Sequence, residues 1–267
     1  MNSYNIIDAH AHIFPEKIRE KAVGAIGNFY DFHPMHCVGS AEDLVEEMEK
    51  ASIGRAVIHS VATVPRQVVS INDFILAEVA KYPDKLIGFA TLHPAMERPE
   101  EEIERAISLG FSGFKLHPDF QQVDIDAEES KNLFRLIAGR KPILIHMGDA
   151  TRTYSKPERL AAVAKEFPEQ IFIGAHFGGY QAWDDSEKYL IGKAENVLID
   201  TSSSLFALSP ERAVDMIRRH GITRVVFGTD YPMWNPTEEM GRFMNLPLTE
   251  EERRLIFSEN LLRVLGQ

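Results

Sequence analysis

"IIDAHAHIF", residues 6–14, is the stretch on which the reading of this chain turns. It is the first apolar run, and it carries Asp8, His10 and His12 at alternate positions. In a β-strand, residues i, i+2 and i+4 share one face. The spacing therefore predicts these three on one side, with Ile7, Ala9, Ala11 and Ile13 on the other. A half-buried strand would carry Thr, Ser or Lys on its wet face. Two imidazoles converging on one point suit a metal ion instead, because imidazole is the commonest metal ligand at neutral pH.

Seven further runs of the same kind follow: "RAVIHSVA" (55–62), "KLIGFATLHP" (85–94), "FSGFKLHP" (111–118), "KPILIHMG" (141–148), "QIFIGAHFGG" (170–179), "NVLIDTSSS" (196–204) and "TRVVFGTDYP" (223–232). With the first, extended to 4–14, they make eight strand candidates. Helical patterns lie between them, among them 40–53, 99–110, 156–167 and 209–221. Several begin with Ser or Pro followed by acids and stop at Gly, the expected cap signals. After the first, strands recur every ~25–31 residues, the length of one βα unit. Eight such units predict a (β/α)8 barrel of the TIM type. A doubly wound dinucleotide fold is disfavoured, because the turn after the first strand, "FPEKIRE", has no glycine cluster. No linker or composition shift divides the chain, so residues 1–267 are read as one domain. Two connections are too long for plain turns: residues 15–40, with the aromatic "NFYDFHPMH", and residues 231–248. Both follow strand carboxyl ends and are expected as loops over the barrel mouth, with Met35, Trp234 and Phe243 packing a lid. The closing residues 249–266 read as the eighth helix.

Composition narrows the functional classes. The chain is 44% hydrophobic and 26% charged, an ordinary globular profile. Its net charge of −11 argues against a nucleic-acid partner, which needs a basic surface. Cys37 stands alone, so no internal disulfide forms, which suits a reducing cytoplasm. No secretory signal is recognisable, and no apolar run approaches the ~20 residues that cross a bilayer.

Seven of the ten histidines fall at or near strand carboxyl ends: His10, His12, His59, His93, His117, His146 and His176. Only His33, His36 and His220 do not. Strand seven adds Asp200 and Ser202, and strand eight adds Asp230. A barrel gathers those ends at one mouth. A catalytic divalent metal takes three or four nitrogen or oxygen ligands and keeps a position open for water. A nearby histidine or aspartate outside the ligand set can then move protons.

"DAHAHIF", "LIHMG", "GAHFGG", "GTDYP" and the terminal "SENLLRVLG", in strand order along the whole chain, resemble the amidohydrolase superfamily. The resemblance is greatest to the branch that includes aminocarboxymuconate-semialdehyde decarboxylase and many metal-dependent hydrolases. It implies His10, His12, His146 and Asp230 as ligands of one divalent metal ion. Zn2+ is the usual metal of this branch, and Mn2+ or Fe2+ fits the same mixed ligands. It implies His176 as the proton-handling residue or, in two-metal members, a further ligand, and it gives Asp230 a second task as proton acceptor. Lys115 and His117 share a face of strand four. Lys115 is open to three readings: a carboxylated bridge between two metals, a partner for a substrate carboxylate, or a structural residue. Substrate binding is assigned to Lys115 and His117, and to Arg152, which follows strand five and could clamp an anion. Asp8 is read as supporting a ligand, and His59 and His93 as packing or supporting residues.

The expected activity is metal-dependent hydrolysis of an amide, lactone or ester bond in a small anionic substrate. The runner-up is non-oxidative decarboxylation of an aromatic or unsaturated acid, since the branch contains both chemistries on nearly one ligand set. A non-catalytic metal-binding barrel is the third reading, disfavoured by the long mouth loops. The expected partner is a small carboxylate, with no nucleic acid and no membrane; a homodimer is compatible with the sequence.

Overall fold

The computed structural model describes residues 4–32 and 35–267, so His33 lies outside the described residues. Eight strands form: β1 (Ile7–His12), β2 (Arg55–His59), β3 (Leu86–Thr91), β4 (Gly113–Leu116), β5 (Ile143–Ile145), β6 (Phe172–Gly174), β7 (Val197–Asp200) and β8 (Val225–Val226). Each pairs in parallel with the next in sequence. Hydrogen bonds close the ring from β8 back to β1: Ala9 N donates to Phe227 O at 2.8 Å, and His12 N to Tyr231 O at 2.7 Å. The result is the expected (β/α)8 barrel.

The helices are α1 (Glu16–Tyr30), α2 (Ala41–Lys50), α3 (Val68–Lys81), α4 (Pro99–Ser108), α5 (Pro118–Gln121), α6 (Glu128–Ile137), α7 (Pro157–Glu166), α8 (Trp183–Tyr189), α9 (Pro210–His220) and α10 (Pro236–Met244). A helical segment over 250–265, with a π turn at Leu255–Glu259, ends the chain. The cap signals operate as read. Ser40 accepts from Asp43 N at the start of α2, and Ser209 accepts from Arg212 N at the start of α9, where Pro210 takes the first helical position. No helix among the described residues is long and apolar enough to cross a membrane.

Two apolar layers hold the barrel. The lumen is filled by Ile7, Ala9, Val57, Ile87, Phe89, Leu144, Ile173, Leu198 and Val226, with Leu261 from the last helix packed against them. A larger cluster joins the outer strand faces to the helices. Gly113 makes room for the largest lumen residue: a Cβ there would lie 2.5 Å from the Phe89 ring.

The strict two-residue alternation expected for β1 is corrected by the structure. The β1–β2 register shifts between Asp8 and Ala11. Ile7 and Ala9 therefore belong to the lumen, whereas Ala11 and Ile13 belong to the outer layer. A bulge places an extra residue in one strand and flips the facing beyond it. Asp8 falls on the near side of the shift, opposite Ala56 of the outer layer. It leaves the His10–His12 set and instead ties β1 to β8, accepting from His10 N at 2.9 Å, Thr229 N at 3.0 Å and Thr229 Oγ1 at 2.5 Å.

The two mouth connections are also corrected from loops to helices. Residues 15–40 contain α1, and residues 231–248 contain α10. Gly27 is the one fully buried residue of α1, so the helix lacks the apolar stripe that marks a core helix.

Candidate metal centre

The shift in β1 aims His10 and His12 into the mouth, beside Asp230 from the segment after β8. His10 Nε2 lies 3.1 Å from His12 Nε2 and 3.4 Å from Asp230 Oδ1, and His12 Nε2 lies 3.5 Å from the same oxygen. Ligand atoms held at ~2.1 Å from one cation stand roughly 3.0–3.5 Å apart in tetrahedral or octahedral geometry. The triangle has those edges, so these residues fit a divalent metal. Burial is the main reason that His10, His12 and His146 titrate well below 6.5, followed by the neighbouring cationic groups. Neutral rings keep a lone pair for a cation.

Asp200 at the end of β7 decides which nitrogen carries the proton. Its Oδ2 accepts from His10 Nδ1 at 2.8 Å, which leaves His10 Nε2 bare. Its Oδ1 accepts from His176 N at 2.8 Å, Ser202 N at 3.0 Å and Ser202 Oγ at 2.6 Å. Having given its proton to Asp200, Ser202 Oγ accepts from His176 Nδ1 at 2.9 Å. His176 Nε2 then accepts from His146 Nδ1 at 3.0 Å. The His146 Nε2 lone pair takes the Tyr30 hydroxyl proton at 3.1 Å; the Gly148 carbonyl, equally near, has none to give.

His117 enters this chain from the other end. Phe120 N donates to its Nδ1 at 3.3 Å, so the ring proton sits on Nε2 and is donated to the Tyr30 oxygen at 3.0 Å. His117, Asp119 and His146 are close enough to share a cation, but a protonated Nε2 makes His117 a donor into the cleft. Substrate binding is the role that the sequence reading gave it.

Two residues of the site stand in the left-handed backbone region, His176 at φ +61° and Asp230 at φ +62°. For residues other than glycine this costs ~1–3 kcal/mol each. Asp200 holds the His176 amide, and His10 O holds the Asp230 amide at 2.8 Å. Ser203 Oγ fixes the other carboxylate oxygen of Asp230 at 2.5 Å and is itself held by Trp234 Nε1 at 2.9 Å. Burial pushes Asp230 up to about 7.

The structure thus brings His10, His12, His117, His146, His176 and Asp230 to one mouth. Lys115 lies fully buried beside them, its Nζ 3.2 Å from His10 Nε2, and burial pushes it down to about 8. Arg152, also assigned to substrate binding on the sequence, stacks its guanidinium on Phe29 of α1 at 3.9 Å. Met35 lines the cleft, Trp234 packs with Met233 and Tyr180 at its rim, and Phe243 lies in the outer core. His93 Nδ1 accepts from Ala95 N, a local turn contact.

Tyr30 and Asp119 are among the site residues missed from the sequence. Tyr30 caps the relay, and the only signal was the aromatic run that contains it. Asp119 is buried beside His146, accepts from Ser155 Oγ, and is pushed up by burial to about 6. It carried no signal, because its approach to the site depends on the turn of α5.

The family model described as Amidohydrolase matches residues 7–267. A 5-carboxyvanillate decarboxylase from Novosphingobium aromaticivorans, complexed with manganese and 4-hydroxy-3-methoxy-5-nitrobenzoic acid, is 17% identical. It superposes with a TM-score of 0.78 over 99% of this chain and 96% of that one. A 2,6-dihydroxybenzoate decarboxylase from Rhizobium is 20% identical, with a TM-score of 0.73 over 98% and 99%. An uncharacterised TIM-barrel protein from Bordetella bronchiseptica is 21% identical, with a TM-score of 0.79 over 98% of each chain.

Proposed function

This chain belongs to the amidohydrolase family, and from that premise we propose that it is a metal-dependent, non-oxidative decarboxylase of a small aromatic carboxylic acid. The observation that carries this reading is the cation-sized triangle of His10, His12 and Asp230 opening onto a cleft lined by Tyr30, Phe120 and Tyr180. Support comes from two of the similar solved structures, a 2,6-dihydroxybenzoate decarboxylase and a 5-carboxyvanillate decarboxylase, the latter with manganese bound. Hydrolysis, placed first on the sequence, is the second reading; the family description favours it, and the same ligands serve it.

His10, His12 and Asp230 would hold the metal, with His146 Nε2 as the further ligand implied by the resemblance. The bound cation supplies positive charge that anchors the substrate carboxylate and stabilises developing negative charge. His117 donates from Nε2 to a substrate oxygen, in the position the Tyr30 hydroxyl now takes. The aromatic rims of Phe120 and Tyr180 flank the ring and exclude water. Loss of CO2 leaves an electron pair on the ring carbon, which must gain a proton. His176 holds and passes protons at Nε2, and Ser202 and Asp200 fix its other nitrogen. Lys115, a buried cation when protonated, stands within reach of a bound carboxylate.

The test incubates the manganese- or zinc-loaded protein with hydroxybenzoic acids, and separately with lactones and amides, in deuterated water. The expected result is CO2 release with deuterium at the vacated ring carbon. Hydrolysis products from the lactones or amides, without CO2 from any acid, would overturn the decarboxylase reading in favour of hydrolysis.

A further inference from the structure

We propose that His59, at the end of β2, is an additional nitrogen ligand of the cation held by His10, His12 and Asp230. This rests on the metal reading above and assigns a strand-two residue to the centre.

His59 is fully buried, and neither ring nitrogen has a hydrogen-bond partner among the described residues. It is the one histidine of the mouth in that condition. His10, His117, His146 and His176 each have both nitrogens engaged. A buried imidazole needs a partner for its lone pair, or the desolvation of that lone pair goes uncompensated. The backbone has placed it deliberately close to the pair from β1. His59 is the register partner of His12 in the β1–β2 ladder, so the two side chains emerge side by side. Its ring stands edge-on to His12, centroids 4.4 Å apart, and also to His10 at 5.0 Å.

The ligand atoms of His10, His12 and His59 all lie within 4.8 Å of one another. Nitrogens bound at ~2.1 Å to one cation can be separated by up to ~4.2 Å when opposite each other. A turn of the His59 ring towards the pair would close the difference. None of the neighbouring side chains offers the ring's lone pair a better partner: His10 Nδ1 is committed to Asp200, and Lys115 Nζ is turned to His10. The consequence would be a centre with three imidazoles from two adjacent strands, beside the cleft that Tyr30 and His117 line.

The experiment measures zinc affinity by competition with a chromophoric chelator, and the cobalt absorption spectrum, for the wild type, His59→Phe and the double variant His10→Ala, His12→Ala. Phenylalanine keeps an edge-on ring and removes the nitrogens. The expected result is a His59→Phe protein that binds zinc at least ~10²-fold more weakly, beyond what loss of a supporting residue usually costs, with a changed cobalt spectrum. Wild-type affinity and spectrum in His59→Phe, with metal lost from the double variant, would overturn the His59 assignment alone. Metal retained by the double variant would instead overturn the reading of the centre. Should His59→Phe fail to fold, wild-type protein with 15N-labelled histidine, loaded with 113Cd, decides. A 113Cd–15N coupling to His59 supports the proposal, and its absence while His10 and His12 couple defeats it.

Discussion

His10 and His176 are the same residue at the mouth of the same barrel, and Asp200 gives them different work. It accepts a hydrogen bond from His10 Nδ1 directly, and it orients Ser202 Oγ to accept one from His176 Nδ1. His10 keeps an unprotonated nitrogen that faces two other ligand atoms and Lys115 Nζ, whereas His176 accepts a hydrogen bond from His146. The proposed metal-binding pair and the proposed proton-handling residue should therefore separate on mutation. His176→Asn is expected to keep its metal while kcat falls by ~10²–10⁴. Metal analysis beside turnover checks this, and loss of metal equal to that of the strand-one pair would make His176 a ligand instead. The residue types at this scale were legible in the sequence. Which nitrogen carries each proton was not, because that follows from Ser202 and Asp200 meeting His176 across two strands.

At the scale of elements, the eight strands were readable because each is a short apolar run ending in a polar residue, and their order is simply sequence order. Two features were not. The shift in β1 inverts the facing of Ile7 and Ala9 relative to Ala11 and Ile13, and no residue in "IDAHAH" announces a bulge. Helix α1 was hidden because Gly24 and Gly27 interrupt it and its face packs over a cleft rather than into a core. That placement delivers Tyr30 to His117 and His146. Gly113 allows a test of lumen packing. An alanine in a strand would ordinarily gain ~0.5–1 kcal/mol over glycine, but here its Cβ would overlap the Phe89 ring, at 2.5 Å. Overpacking of a filled core costs ~1–3 kcal/mol, so the net effect of Gly113→Ala should be a loss. A urea midpoint equal to or above that of the wild type would contradict the packing described.

For the whole molecule, the centre joins β1, β2, β4, β5, β6 and the ends of β7 and β8, so a cation there ties distant parts of the chain together. Such a cation would bind the folded barrel and find no such array in the unfolded chain. Close to one divalent ion per chain is expected by elemental analysis. Saturation at ~100 times the dissociation constant stabilises by ~2.7 kcal/mol, which for a chain of this size raises Tm by ~5–10 °C. Calorimetry before and after chelation measures it, and an unchanged Tm would argue against a metal site in the fold. The sequence by itself determined the barrel, the family and most of the histidines and aspartates at its mouth, though not Tyr30 or Asp119. Period, spacing and residue type are local properties, and a barrel necessarily collects its strand ends. The tertiary structure alone decided how those groups are used. It set the triangle of His10, His12 and Asp230, the left-handed backbone at His176 and Asp230, the donor role of His117 and the unpartnered ring of His59. Each depends on ångström-scale distances between residues far apart in the chain, and no pattern along the sequence encodes them.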